Sequence, residues 1–174
     1  MDAMERGSKF DKAVGDLISE DFRNYLIDNG FFTLPASVHH HGNYEGGLFD
    51  HSMAVMERLV DMTQNMDIPW QEERSPYIVG MFHDLCKIES YKRDIITREW
   101  RYDDQQILPG HGDKSVLLLS QFMTLTEEEV YCIRFHMGPY EAWSREQYGR
   151  AVERYETVLW THTADMYASK VMGI

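Results

Sequence analysis

Gly80-Met81-Phe82-His83-Asp84-Leu85-Cys86-Lys87 sets an imidazole beside a carboxylate in a run that otherwise reads as a buried helix. An ionised carboxylate buried without a partner is very costly, so such a residue is normally paired or bound to a metal. His and Asp are both ligands of first-row metals. Two further residues complete a set of four. They are His51 in Gly46-Gly47-Leu48-Phe49-Asp50-His51 and Asp165 in Thr161-His162-Thr163-Ala164-Asp165. On a helix His83 and Asp84 point about 100° apart. At a helix end both can approach one ion, or Asp84 can bridge two. Two imidazoles and two carboxylates suit Mn²⁺, Fe²⁺, Ni²⁺, Co²⁺ or Zn²⁺ better than Mg²⁺, which prefers oxygen ligands and retained water. One such ion is expected, and a second is left open.

Around this stretch the chain reads as helical. Phe10, Val14, Leu17, Ile18, Phe22, Tyr25 and Leu26 recur at helical spacing and predict an N-terminal helix over about 9–29, stopped by Gly30. A His- and Gly-containing loop follows to Gly47. A second helix is expected from about Leu48 to Met66, with Leu48, His51, Val55, Leu59 and Met62 on one face. A third is expected over roughly 71–86. Between Glu89 and Gln106 the β-branched and aromatic residues Tyr91, Ile95, Ile96, Trp100 and Tyr102 sit among charges, which predicts a small β-hairpin. Helix resumes near His111. Thr126-Glu127-Glu128-Glu129 is a capping box that opens another helix, running to about His136. A last long helix is expected over about 145–172, with Val152, Tyr155, Leu159, His162 and Met166 on one stripe. The expectation is an all-α bundle with a small β-hairpin insertion, folded as one domain over 1–174.

Composition narrows the partners. The net charge of −12 argues against sequence-independent nucleic-acid binding, which needs a basic surface. It leaves room for a nucleotide or short single strand held through metal. No apolar run is long enough to span a bilayer, and residues 1–11 do not read as a signal peptide, so a cytoplasmic location is expected. Two isolated cysteines, Cys86 and Cys132, read as reduced core residues. The sequence is silent on oligomeric state.

Gly46-Gly47-Leu48-Phe49-Asp50-His51, His83-Asp84-Leu85-Cys86-Lys87 and Asp165 in a late helix together resemble the motifs of the HD-domain superfamily of metal-dependent phosphohydrolases. The likeness covers roughly 35–170. It is greatest to the HD modules of bacterial 3′-to-5′ exoribonucleases, through the His-rich approach to Gly-Gly-Leu, the Lys after His-Asp and the Gly110-His111 pair. The resemblance implies that His51, His83, Asp84 and Asp165 hold a metal. It also implies that Lys87, one turn after Asp84, neutralises a substrate phosphate; the plain alternative is a salt bridge to Asp84. In two-metal members histidines near His111 and His136 bind a second ion, with a His-His pair common at the later position. Here Met137 follows His136, so a complete second site is in question. His111 and His136 are then candidates for a weak second metal, a phosphate contact or a general acid.

Three further features are weighed against plain readings. Residues His39-His40-His41 fit the rim of a cleft or a surface loop. His162 alone reads more simply as a helix residue without direct function. Residues 87–101 are net basic in an acidic chain, so Arg98 and Arg101 are candidate substrate contacts and Tyr91, Trp100 and Tyr102 candidate stacking platforms; packing onto the core is the alternative. The reading is metal-assisted hydrolysis of a phosphate ester or phosphodiester, with Asp84 and Lys87 as the central catalytic pair. Its rivals are a metal-binding regulatory module without turnover and a nucleoside monophosphatase of the same superfamily.

Overall fold

The Asp2 carboxylate accepts the Glu5 N–H while the Glu5 side chain reaches back to the Asp2 N–H, and this capping box starts α1 (Ala3–Val14). In the computed structural model, which describes residues 1–97, 99–103, 105, 110–139 and 144–174, the chain continues through a 3₁₀ turn, Gly15–Leu17, into α2 (Glu20–Asp28). The single N-terminal helix expected over 9–29 is therefore two. The Ser19 hydroxyl accepts the Phe22 N–H at 3.2 Å and opens a new helix, as a serine cap does in competition with helix continuation.

Next come α3 (Gly47–Met66), α4 (Ser75–Phe82), a 3₁₀ turn (Leu85–Glu89), strands β1 (Tyr91–Arg93) and β2 (Trp100–Tyr102), α5 (Gly112–Leu119), α6 (Glu127–Arg134), α7 (Ser144–Arg154) and α8 (Thr157–Met166), which runs into a π-helical turn, Tyr167–Met172. The strands pair antiparallel with Tyr91 opposite Tyr102. The fold is all-α with one small hairpin. Among the described residues no helix is long and apolar enough to cross a membrane.

Two expected helices end differently. The one expected over 71–86 stops at Phe82. The one expected over 145–172 is broken at Tyr155-Glu156. There the Thr157 hydroxyl donates to the buried Glu128 carboxylate at 2.7 Å, fixing where α8 begins. The buried stripe of α8 is Val158, Thr161, Ala164 and Asp165, whereas Leu159 and Met166 are exposed. The face is thus turned by about one residue from the one expected.

Two features bring the helices to the site. Phe82 lies in an aromatic cluster, with ring centroids 5.0 Å from Phe22 and 6.1 Å from Phe10. This pins the end of α4 just before His83. Gly80 lets α3 and α4 touch backbone to backbone, since a Cβ there would stand 2.4 Å from Met56 Cα. Gly80→Ala is therefore expected to force the two helices apart. Overpacking costs about 1–3 kcal/mol, and the better helix propensity of Ala returns up to about 1 kcal/mol. Thermal unfolding should show a lower Tm. An unchanged Tm would refute the close-contact role.

Candidate metal centre

The end of α4 builds the site. His83 keeps helical angles (φ −55°, ψ −35°), but Asp84 leaves them (φ −102°, ψ 19°). The Asp84 carboxylate is thereby free to turn toward the face on which His83 lies. The Lys87 N–H donates to Asp84 O at 3.0 Å. In a 3₁₀ turn residues i and i+3 eclipse, so the Lys87 ammonium sits on Asp84 Oδ2 as a buried ion pair. The salt bridge weighed from the sequence is present, and Lys87 also lines the cleft described below.

His51, His83, Asp84 and Asp165, drawn from three helices and the turn after α4, meet at one place. His51 Nε2 lies 3.3 Å from His83 Nε2, 3.2 Å from Asp165 Oδ1 and 3.7 Å from Asp84 Oδ2. His83 Nε2 is 3.6 Å from the same Asp84 oxygen. Ligand atoms each about 2.1 Å from one ion, at tetrahedral or octahedral angles, stand roughly 3.0–3.4 Å apart. The observed spacings are close to that range.

The tautomers agree. The Nδ1–H of His51, His83 and His136 donates to the main-chain oxygens of Ile174 (2.9 Å), Gly80 (2.9 Å) and Ile133 (2.7 Å). A carbonyl can only accept, so each neutral ring presents an Nε2 lone pair to the centre. Metal-bound histidines are held in the same way.

His136, a candidate from the sequence, stands against this set. Its Nε2 is 3.5 Å from Asp84 Oδ1, so Asp84 turns one oxygen to His51 and His83 and the other to His136. Asp84 Oδ1 and His136 Nε2 are buried, and neither has a hydrogen-bond partner among the described residues. Two lone pairs facing each other need a proton or a cation between them. The donor set and these two atoms fit a divalent metal. Among the described residues, the groups placed to hold an ion are His51, His83 and Asp84; His83, His136 and Asp165; and Asp84, Cys86 and the half-buried His111.

The charge states follow. Burial opposes ionisation of Asp84, but the Lys87 ammonium and the facing imidazoles outweigh it and hold the carboxyl well below its ordinary value. Asp165 is likewise held low, burial being overcome by His51 and its neighbours. Burial pushes His83 down to about 4. It also opposes a second proton on His136, but Asp84 prevails and raises that group. Burial lowers His111 and pushes the Cys86 thiol up to about 12. Cys86 is therefore a thiol at neutral pH, 3.5 Å from His111 Nδ1, and neither it nor Cys132 forms a disulfide.

A cleft of about 450 Å³ opens onto Asp84, Lys87 and Asp165, and His111 stands in its wall. His40 and His41 are at its rim, and the His41 ring lies 4.9 Å from that of His51. His162 also lines it and donates through Nδ1 to His136 O at 2.7 Å, tying α8 to the loop after α6. Ser169 and Lys170 join this wall and were not singled out from the sequence. The signal was there: with His162, Asp165 and Met166 they continue one helical stripe.

The Arg101 side chain is 68 % exposed, lies 3.8 Å from Asp94 and is not in the cleft wall; Arg98 lies outside the described residues. Lys92 pairs with Asp103 at 2.8 Å. Tyr91 and Tyr102 do line the cleft, and the Tyr91 hydroxyl donates to Ala36 O. Comparison with family models, with curated proteins and with solved structures finds no match to this chain.

Proposed function

We propose that this protein is a metal-dependent phosphohydrolase of the HD-domain kind its motifs resemble. Its substrate is a phosphate ester or phosphodiester in a nucleotide or short single-stranded nucleic acid. The observation that carries the reading is the convergence of Nδ1-anchored imidazoles and two carboxylates at the floor of a cleft that also holds a lysine. His51, His83, Asp84 and Asp165 would hold the ion, one of Mn²⁺, Fe²⁺, Ni²⁺, Co²⁺ or Zn²⁺. When bound, such an ion polarises a phosphoryl oxygen and makes water a usable nucleophile near neutral pH. Lys87 offsets charge that develops on the transferred group. His111 stands at the cleft wall as a neutral imidazole, placed to contact phosphate or pass a proton to the leaving oxygen. His136, facing the other oxygen of Asp84, would be a ligand for a second ion. The cleft volume falls within the usual range for small-ligand sites and suits a nucleotide or the end of a strand. Two free, buried cysteines fit a reducing, cytoplasmic setting.

The second reading is a module that keeps the ion without turnover. Met137, a thioether at the cleft wall beside His136, favours it, because a second imidazole is the usual partner there in two-metal relatives of the family resembled. One experiment separates the two. Chelator-treated protein is given each metal in turn and offered bis(p-nitrophenyl) phosphate, a nucleoside 5′-monophosphate and a short oligonucleotide. The expected result is product only after metal is restored. Tight uptake with no product from any substrate would establish the binding module, and absence of uptake would end the metal reading.

A further inference from the structure

The three imidazoles of the centre find their Nδ1 acceptors in two ways. His83 and His136 use oxygens three residues back, Gly80 O and Ile133 O, at the ends of α4 and α6. The last turn of a helix leaves carbonyls without an intrahelical partner, so a histidine there finds its acceptor locally. His51 cannot do this. It lies inside α3, a helix of 20 residues, where the preceding carbonyls serve the helix itself. Its acceptor, the main-chain oxygen of Ile174 at 2.9 Å, comes from 123 positions along the chain.

That oxygen is delivered by a specific turn. Gly173 is left-handed at φ 73°, and its N–H and that of Ile174 both donate to Ala168 O. A glycine in this conformation after a helix reverses the chain and satisfies its last carbonyls. The reversal sets Ile174 against the loop before α3, where a Cβ on Gly42 would lie 3.5 Å from Ile174 C.

We infer that the Gly173-Ile174 turn is a positioning element of the metal centre: the Ile174 oxygen holds His51 in its Nδ1–H form and aims Nε2 at His83, Asp84 and Asp165. The inference rests on His51 being a metal ligand. Without this acceptor the proton is free to sit on Nε2, where it blocks the lone pair that faces the other ligands. Outer partners of metal-bound histidines are typically worth about 10–100-fold in affinity.

Two measurements test it. In metal-free wild-type protein, ¹⁵N spectra of the histidines should show His51 protonated on Nδ1; a bare Nδ1 would overturn the inference. Gly173→Val cannot adopt the left-handed turn without strain, whereas Gly173→Asn tolerates it. Calorimetric titration with Zn²⁺ should show affinity reduced about 10–100-fold in the valine variant and near wild type in the asparagine variant, with thermal unfolding of the chelated proteins little changed. Wild-type affinity in both variants would overturn the inference. The nitrogen spectrum needs neither metal nor turnover and decides the tautomer even if the valine variant folds poorly. Failure of the wild-type protein to take up any Zn²⁺ would instead overturn the metal reading of the site.

Discussion

Asp84→Asn is expected to lose bound metal and to cost the metal-free protein about 3–5 kcal/mol of folding stability. Two neighbourhoods depend on this carboxylate. One oxygen faces His51, His83 and the Lys87 ammonium, and the other faces His136. Neutralising it removes an anionic ligand from the shared corner of the site. It also leaves the Lys87 ammonium, 6 % exposed, without its hydrogen-bonded counter-charge. Replacing both partners should separate these effects. Asp84→Leu with Lys87→Met is expected to recover most of the stability, as apolar replacement of a buried ion pair commonly does, and none of the metal. The pH dependence has a definite sign. The folded carboxyl is held well below its ordinary value, so its contribution is full above the unfolded value of about 3.9 and is lost as pH falls through the folded one. The stability gap between wild type and Asp84→Asn should therefore narrow as pH drops below about 3.9. Elemental analysis and denaturant unfolding check both parts; full metal retention in Asp84→Asn would sink the assignment.

Lys87→Met is expected to bind metal at least as well as wild type yet turn over about 10²–10³-fold more slowly, the usual loss for removing one group aimed at transition-state charge. The ammonium occupies the Asp84 oxygen that also faces His51 and His83. Its removal frees that oxygen for an ion. The same removal leaves Asp84 buried without its cation, so the chelated variant should unfold at lower temperature and added metal should restore much of the difference. Calorimetry and kcat/KM read the two sides. Unchanged kcat/KM would reduce Lys87 to a structural partner of Asp84.

His51, His83, Asp84 and Asp165 were legible because ionisable groups recurred inside otherwise apolar helical patterns, and the fold brings all four together. Thr126-Glu127-Glu128-Glu129 was legible because a capping box is a local device, and α6 starts there. The helix breaks were not. Leu85 and Cys86 continue the apolar run of α4, and nothing in that run announces that Asp84 will leave helical angles. The interruption at Tyr155-Glu156 likewise depends on Thr157 meeting Glu128, a contact between distant segments. His136 was legible as a candidate of the site although Met137 follows it; its distance from Asp84 was not, because the ring's anchor on Ile133 O is a matter of backbone position. The basic stretch was legible only as charge. Its charges were visible, but their pairing of Lys92 with Asp103 and of Arg101 with Asp94 depends on the register of the hairpin.

The direct contact between α3 and α4 at Gly80 has a consequence for the order of assembly. These neighbouring helices and the turn after them supply His51, His83 and Asp84, three ligand atoms close enough to share an ion. A short loop closes at small entropic cost, so three of the four candidate ligands can gather before α8 is made. Asp165 arrives only with α8. The Ile174 oxygen that anchors the His51 ring comes later still, so His51, first of the four along the chain, is the last to be fixed in place.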